Sequence, residues 1–146
     1  MRGLLKAGGK QVKYVAGAQA NNTKKSLGQH WLHDQASLDG IAQAADVIAE
    51  DYVLEIGPGL GTLTDILLAK GANVCAVEFD QDLIPKLQKK YEANDKFEII
   101  SGDIRTFDYT SLPENFKLVA NIPYYLTSHL VRSISETPNQ PAIASL

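Results

Sequence analysis

One decapeptide, VLEIGPGLGT at 53–62, constrains the fold more than any other part of the chain. Val53, Leu54 and Ile56 make a short apolar run of the kind carried by a strand buried on both faces. The run breaks into Gly57-Pro58-Gly59-Leu60-Gly61. Glycines at alternate positions permit a tight turn and remove side chains where a ligand must approach the main chain. Thr62 can cap a following helix, and with Asp65 it makes a capping-box signature. A strand, a glycine turn and a helix N-terminus together form the nucleotide crevice of an open α/β sheet.

The glycine spacing narrows the nucleotide. A dinucleotide fingerprint reads G-x-G-x-x-G. Here the glycines stand at 57, 59 and 61, so the third comes one residue early, and Glu55 lies two before the first. That E-x-G-x-G-x-G pattern resembles motif I of S-adenosylmethionine (SAM) methyltransferases. Taken alone, it also fits an ordinary glycine-rich loop of some α/β domain.

The rest of the chain alternates. Ser37 can start a helix reaching to about Ile48, with Leu38, Ile41, Ala42, Ala45 and Ile48 on one face. After the first strand and the glycine turn, a helix carries Leu63, Ile66 and Leu67 inward and stops at Gly71. A second strand over 74–77 ends in Glu78. Asp82 can cap a third helix with Pro85 in its first turn, where a missing N–H does no harm, and Leu83, Leu87 and Tyr91 mark its buried side. A third strand over 97–100 ends at Gly102-Asp103, and 104–115 reads as a loop with at most a short helical turn. A fourth strand over 117–120 runs into Asn121-Ile122-Pro123-Tyr124. A fourth helix spans 126–136, and 142–146 begins another strand. Alternation of this kind predicts a parallel sheet with helices on both faces.

Composition sets outer bounds. No apolar run approaches the ~20 residues that span a bilayer. The single cysteine, Cys75, excludes an internal disulfide and reads as a buried structural thiol between Val74 and Ala76. Charge is uneven: residues 1–25 carry Arg2, Lys6, Lys10, Lys13, Lys24 and Lys25 with no acid, while the remainder is strongly acidic. Such a leader permits contact with a polyanion, and equally suits a solvated tail. Residues 1–22 lack periodicity and are expected to be a flexible basic tail, with the folded domain over 23–146. No cysteine pair or histidine cluster is spaced for a metal, so none is expected.

In a parallel sheet, ligands bind at the carboxyl ends of the strands. Those ends read Gly57, Glu78, Asp103 and Asn121. Glu78 lies 21 residues past Gly57, the offset of an acid that accepts ribose hydroxyls; a solvated carboxylate at a helix start is the alternative. Asp103 can accept the adenine amino group or be a plain turn aspartate. The tetrapeptide at 121–124 matches the [DNS]-[IVLP]-P-[YFW] motif of methyltransferases that act on planar exocyclic nitrogens. Such an amine is a poor nucleophile, because its lone pair is spread into the ring. The Asn121 side-chain oxygen and the Ile122 carbonyl can accept its two hydrogens, localising that lone pair. Pro123 stiffens the turn, and Tyr124 offers a face on which an extruded base stacks.

Together, KKSLGQHWLHD at 24–34, EIGPGLGT at 55–62, VEFD at 77–80, Gly102-Asp103 and NIPY at 121–124 resemble the KsgA/RsmA family of small-subunit ribosomal RNA adenine dimethyltransferases. The Erm enzymes, which modify large-subunit RNA, share most of these motifs. The resemblance implies a Rossmann-like SAM-dependent fold, truncated here before its last strands and without the family's helical RNA-binding domain. It implies a methyltransferase of the EC 2.1.1 class, acting twice on the 6-amino group of adenines in 16S ribosomal RNA during ribosome biogenesis. SAM is the implied cofactor, ribosomal RNA or the small-subunit precursor the partner, the cytoplasm the location, and a monomer without membrane association the expected form.

Residue by residue, His30 and Leu32 would close over the cofactor, with His30 and Trp31 standing where the family usually has Asn and Phe. Gly57, Gly59 and Gly61 would form its loop, Glu78 would hold the ribose and Asp103 the adenine. Asn121 would touch both cofactor and target amine, making Asn121, Pro123 and Tyr124 the catalytic group. The chain is expected to be part of a longer protein, to expose one sheet edge, and to turn over weakly by itself. Rival expectations are an Erm-type 23S ribosomal RNA enzyme, a non-catalytic RNA or ribosome-assembly module on the same fold, and a nicotinamide-dependent oxidoreductase.

Overall fold

A computed structural model describes residues 2–7, 10–15, 35–141 and 143–145. Two strands, β1 (Arg2–Ala7) and β2 (Lys10–Val15), pair antiparallel. After them come α1 (Gln35–Ala44), β3 (Tyr52–Ile56), α2 (Thr62–Ala69), β4 (Asn73–Glu78), α3 (Ile84–Lys90), β5 (Phe97–Ser101), β6 (Lys117–Ala120), α4 (Tyr124–Glu136) and β7 (Ile143–Ser145). Two 3₁₀ turns, Ile104–Thr106 and Tyr109–Ser111, break the loop between β5 and β6.

The five strands β5-β4-β3-β6-β7 form one wholly parallel sheet in that order. Chain order therefore reverses between β3 and β6. At such a switch point the loops leaving two neighbouring strands diverge and open a crevice above their carboxyl ends. This is the Rossmann-like arrangement expected from the alternation of elements.

Alternate residues of the central strands feed two cores. Leu54, Ile56, Cys75, Val77, Leu118 and Ala120 face one side, where Leu130 and Ile134 of α4, Phe116 and Tyr109 cover them. Val53, Val74 and Val119 face the other, under Leu38 and Ile41 of α1 and Leu63 and Leu67 of α2. A strand covered on both sides must be apolar at nearly every position, which is why the 53–56 run shows no alternation. Glu55 is the exception, 1% exposed on the α2 side. The Cys75 thiol is buried, and desolvation pushes it up to about 11, as a structural cysteine would be.

Several local expectations are corrected. Within the stretch expected to be a basic tail, Arg2–Ala7 and Lys10–Val15 pair as strands, and Val12 and Tyr14, β-prone at alternate positions, carry a strand signal. The first helix ends at Ala44, short of Ile48, because Asp46 takes a left-handed φ of 50° and turns the chain. Ile48 is consequently 65% exposed and Val47 is buried in its stead. Thr62 is the first residue of α2, whose cap is Gly61 at φ 88°, with no side-chain cap bond. Asp82 does not cap α3 either; Leu83 occupies that position.

Candidate active site

The carboxyl ends of β3, β4, β5 and β6 open into one cleft of about 720 Å³. Gly57, Glu78, Asp103 and Asn121, each from a different strand end, all line it. Ile122 and Pro123 line the same cleft, so the two strongest sequence motifs share one rim. Their approach is close. A Cβ added to Gly57 would sit 3.2 Å from Ile122 Cγ2, and the Gly57 φ of 66° already belongs to glycine.

Gly57 extends the ladder, its N–H donating to the Val77 carbonyl at 3.0 Å. Gly59 does not line the cleft; its N–H donates to Glu78 Oε2 at 3.2 Å and so ties the turn to the acid. The other oxygen, Oε1, accepts from the Asp80 N–H at 2.9 Å. Glu78 is thus held by two backbone donors at 7% exposure, with lone pairs left for two hydroxyls. Gly61 also faces away from the cleft. A Cβ there would overlap the Tyr91 hydroxyl, so this glycine serves the packing of α3 on the turn.

Glu55 lies beneath the turn. Thr64 Oγ1 donates to its Oε1 at 2.5 Å, and Oε2 has no hydrogen-bond partner among the described residues. Burial pushes this carboxyl up to about 8, with the neighbouring charges of Asp65 and Glu78 adding to the effect. The α2 N-terminus above it therefore meets a neutral acid at physiological pH.

Asp103 caps the 3₁₀ turn that follows it and is gripped by Arg105. That guanidinium holds its carboxyl below the usual range. At the other wall, Pro123 sits at φ −57° and ψ 145°, and its carbonyl accepts from Leu126 N–H at 3.0 Å, which starts α4. Because a residue before proline is confined to extended backbone, Ile122 cannot coil into the helix, and Asn121 stays at the strand tip.

Three cleft residues with exposed aromatic or cationic side chains were given no role by the sequence reading. Phe79, 69% exposed beside Glu78, and Tyr125, 60% exposed at the start of α4, present aromatic surface to the opening. Arg105 is the third. Aromatic residues next to motif positions were the available signal, but their exposure depends on the assembled rim. Tyr124 opens α4, while His30 and Leu32 lie outside the described residues.

The family model "Ribosomal RNA adenine dimethylase" matches residues 20–145. The chain is 46% identical over 127 residues to the ribosomal RNA small subunit methyltransferase A of Thermosynechococcus vestitus, covering 84% of this chain and 47% of that protein. It is 40% identical over 136 residues to the protein of the same name from Dehalococcoides mccartyi, covering 91% and 47%. Among solved structures, the 23S rRNA methyltransferase ErmE superposes with a TM-score of 0.68 at 32% identity, covering 79% of this chain and 46% of that one. The chain spans about half the length of the curated relatives it matches.

Proposed function

The chain belongs to the ribosomal RNA adenine dimethylase family, and from that premise we propose that its cleft holds SAM and belongs to an enzyme that dimethylates adenine N6 in small-subunit ribosomal RNA. The observation that carries this reading is the convergence of four strand ends on one cleft, with Gly57 and Ile122 in near contact. A side chain at Gly57 would close the cradle, and the acid behind it, Glu78, is pre-positioned by backbone donors.

In this reading Glu78 accepts the ribose hydroxyls, Asp103 faces the adenine edge, and the exposed ring of Phe79 offers the purine a face. When bound, SAM supplies an activated methyl group on a sulfonium sulfur. The chain's part is positioning. Asn121 and the Ile122 carbonyl take the two hydrogens of the target amine and aim its lone pair into the cleft. Pro123 keeps those acceptors rigid. Tyr124 carries the target base, as a reaction on an extruded nucleobase requires. The alkylated nitrogen is strongly acidic, so its proton passes to solvent without a general base. RNA is the polyanionic partner, and the cell interior is where ribosomal precursors would be met. Among the described residues no helix is long and apolar enough to cross a membrane.

The likeness to ErmE supports a second reading, a large-subunit target. The relatives at 40% and 46% identity favour the small subunit. Incubating the chain with SAM and each purified subunit, then mapping dimethyladenine, separates the two. Transfer to large-subunit RNA alone would overturn the small-subunit assignment. Calorimetric titration with S-adenosylhomocysteine and NAD tests the cofactor: saturable binding of the first and none of the second is expected. A silent titration with both would favour a non-catalytic binding module.

A further inference from the structure

Asp103 is already held by a neighbour as it stands. The Arg105 backbone N–H donates to Oδ1 at 2.9 Å, and Arg105 Nε lies 3.0 Å from both Oδ1 and Oδ2. Nη2 donates to Oδ2 at 2.6 Å. These four contacts come from three N–H groups, the Nε–H being shared between the two oxygens, so both carboxylate oxygens are already engaged by Arg105. Arg105 is also the one cationic side chain among the described residues lining the cleft. Its own side chain is 59% exposed, and that of Asp103 25%. Arg105 is thus the more exposed partner of the pair.

Resting on the reading of Asp103 as the adenine acceptor, we propose that Arg105 is a removable cap on that acceptor and sets the purine selectivity of the cofactor site. A 6-amino group competes with the guanidinium for the Asp103 oxygens. A 6-oxo purine loses the amino protons, keeping only N1–H as a donor on that edge, and its oxygen meets a donor in Arg105 instead. The cap thus works against adenosine compounds and in favour of inosine compounds. Because the ion pair is largely solvent-exposed, opening it costs little, and the cap tunes affinity without blocking it.

The test compares Kd values for S-adenosylhomocysteine and its 6-oxo analogue, S-inosylhomocysteine, in the wild-type chain, R105A and R105M. The last keeps an apolar stem and guards against a packing effect. Both variants are expected to bind S-adenosylhomocysteine more tightly, by up to about fivefold, and S-inosylhomocysteine more weakly. Unchanged affinities would overturn the cap. So would a shift of both ligands in the same direction, since that is what a general change of cleft charge produces. If the wild-type chain binds neither ligand, the cofactor reading itself fails, and the cap falls with it; that result is visible before any variant is made.

Discussion

At the scale of single residues, Glu55 joins the cofactor motif to the pH response of the fold. Its carboxyl is raised from an ordinary 4.5 to about 8 by burial. The folded state therefore keeps a proton that the unfolded chain releases above about pH 4.5. Below that pH the group's contribution to stability is complete; as the pH rises towards and through 8, stability falls. Glu55→Gln holds the neutral form at every pH. It is expected to unfold at nearly the wild-type temperature at pH 5 and at a clearly higher one at pH 9, measured by thermal melts followed by circular dichroism. Parallel losses in both proteins would show that Glu55 is not the group responsible. The sequence exposed this residue as part of E-x-G-x-G-x-G, but not its state. Alternation along β3 places it on the α2 side, and only the packing of α2 shows that a single hydroxyl, Thr64, meets it.

At the scale of elements, α3 is fastened to the glycine turn. The Tyr91 hydroxyl lies 2.9 Å from the Gly61 carbonyl and 2.6 Å from Asp65 Oδ1, and Lys90 Nζ reaches Asp65 Oδ2 at 2.9 Å. Tyr91→Phe leaves the ring packed at a tilt against Phe97 but removes the hydroxyl. A loss of about 1–2 kcal/mol is expected, read from urea unfolding. An unchanged midpoint would mean that water replaces the bond at no cost.

The same contacts explain why helix ends were less legible than strand ends. Thr62 and Asp65 have the local spacing of a capping box, yet Asp65 is claimed by α3 from 25 and 26 residues away. A local signature carries no information about such a competitor. Strand ends were legible because a parallel sheet buried on both faces writes itself as apolar runs, and the first polar residue or glycine after each run marks the rim. Phe79 and Tyr125 were missed for the converse reason. An aromatic side chain next to a strand end reads as core until the rim is assembled and leaves it in the open.

At the scale of the whole molecule, the cleft is a property of strand order. A nucleoside seated there contacts loops from four strands and stabilises only the folded chain. S-adenosylhomocysteine at 100 times its Kd is expected to add about 2.7 kcal/mol. For a chain of this size that corresponds to a rise of about 10 °C in Tm, detectable by dye-based thermal shift, with NAD as the blank. No shift at saturating concentration would contradict the cofactor assignment. Turnover is a separate matter, because extruding and holding an RNA base asks for more surface than the cofactor cleft provides.

The register of β3 has a consequence for how the protein is made. β3 pairs on one side with β4, twenty-one residues along at Val53↔Val74, and on the other with β6, at Val53↔Lys117. The near partner is reached by closing a short loop and the far one by closing a long loop, so the two halves of the sheet have different entropic barriers. A nascent chain released only as far as Ser101 already holds the Gly57 and Glu78 side of the crevice. The wall that would orient the methyl acceptor has to wait for synthesis to pass Ala120, and until then Ile56 and its neighbours present a raw seam on the side that β6 will cover.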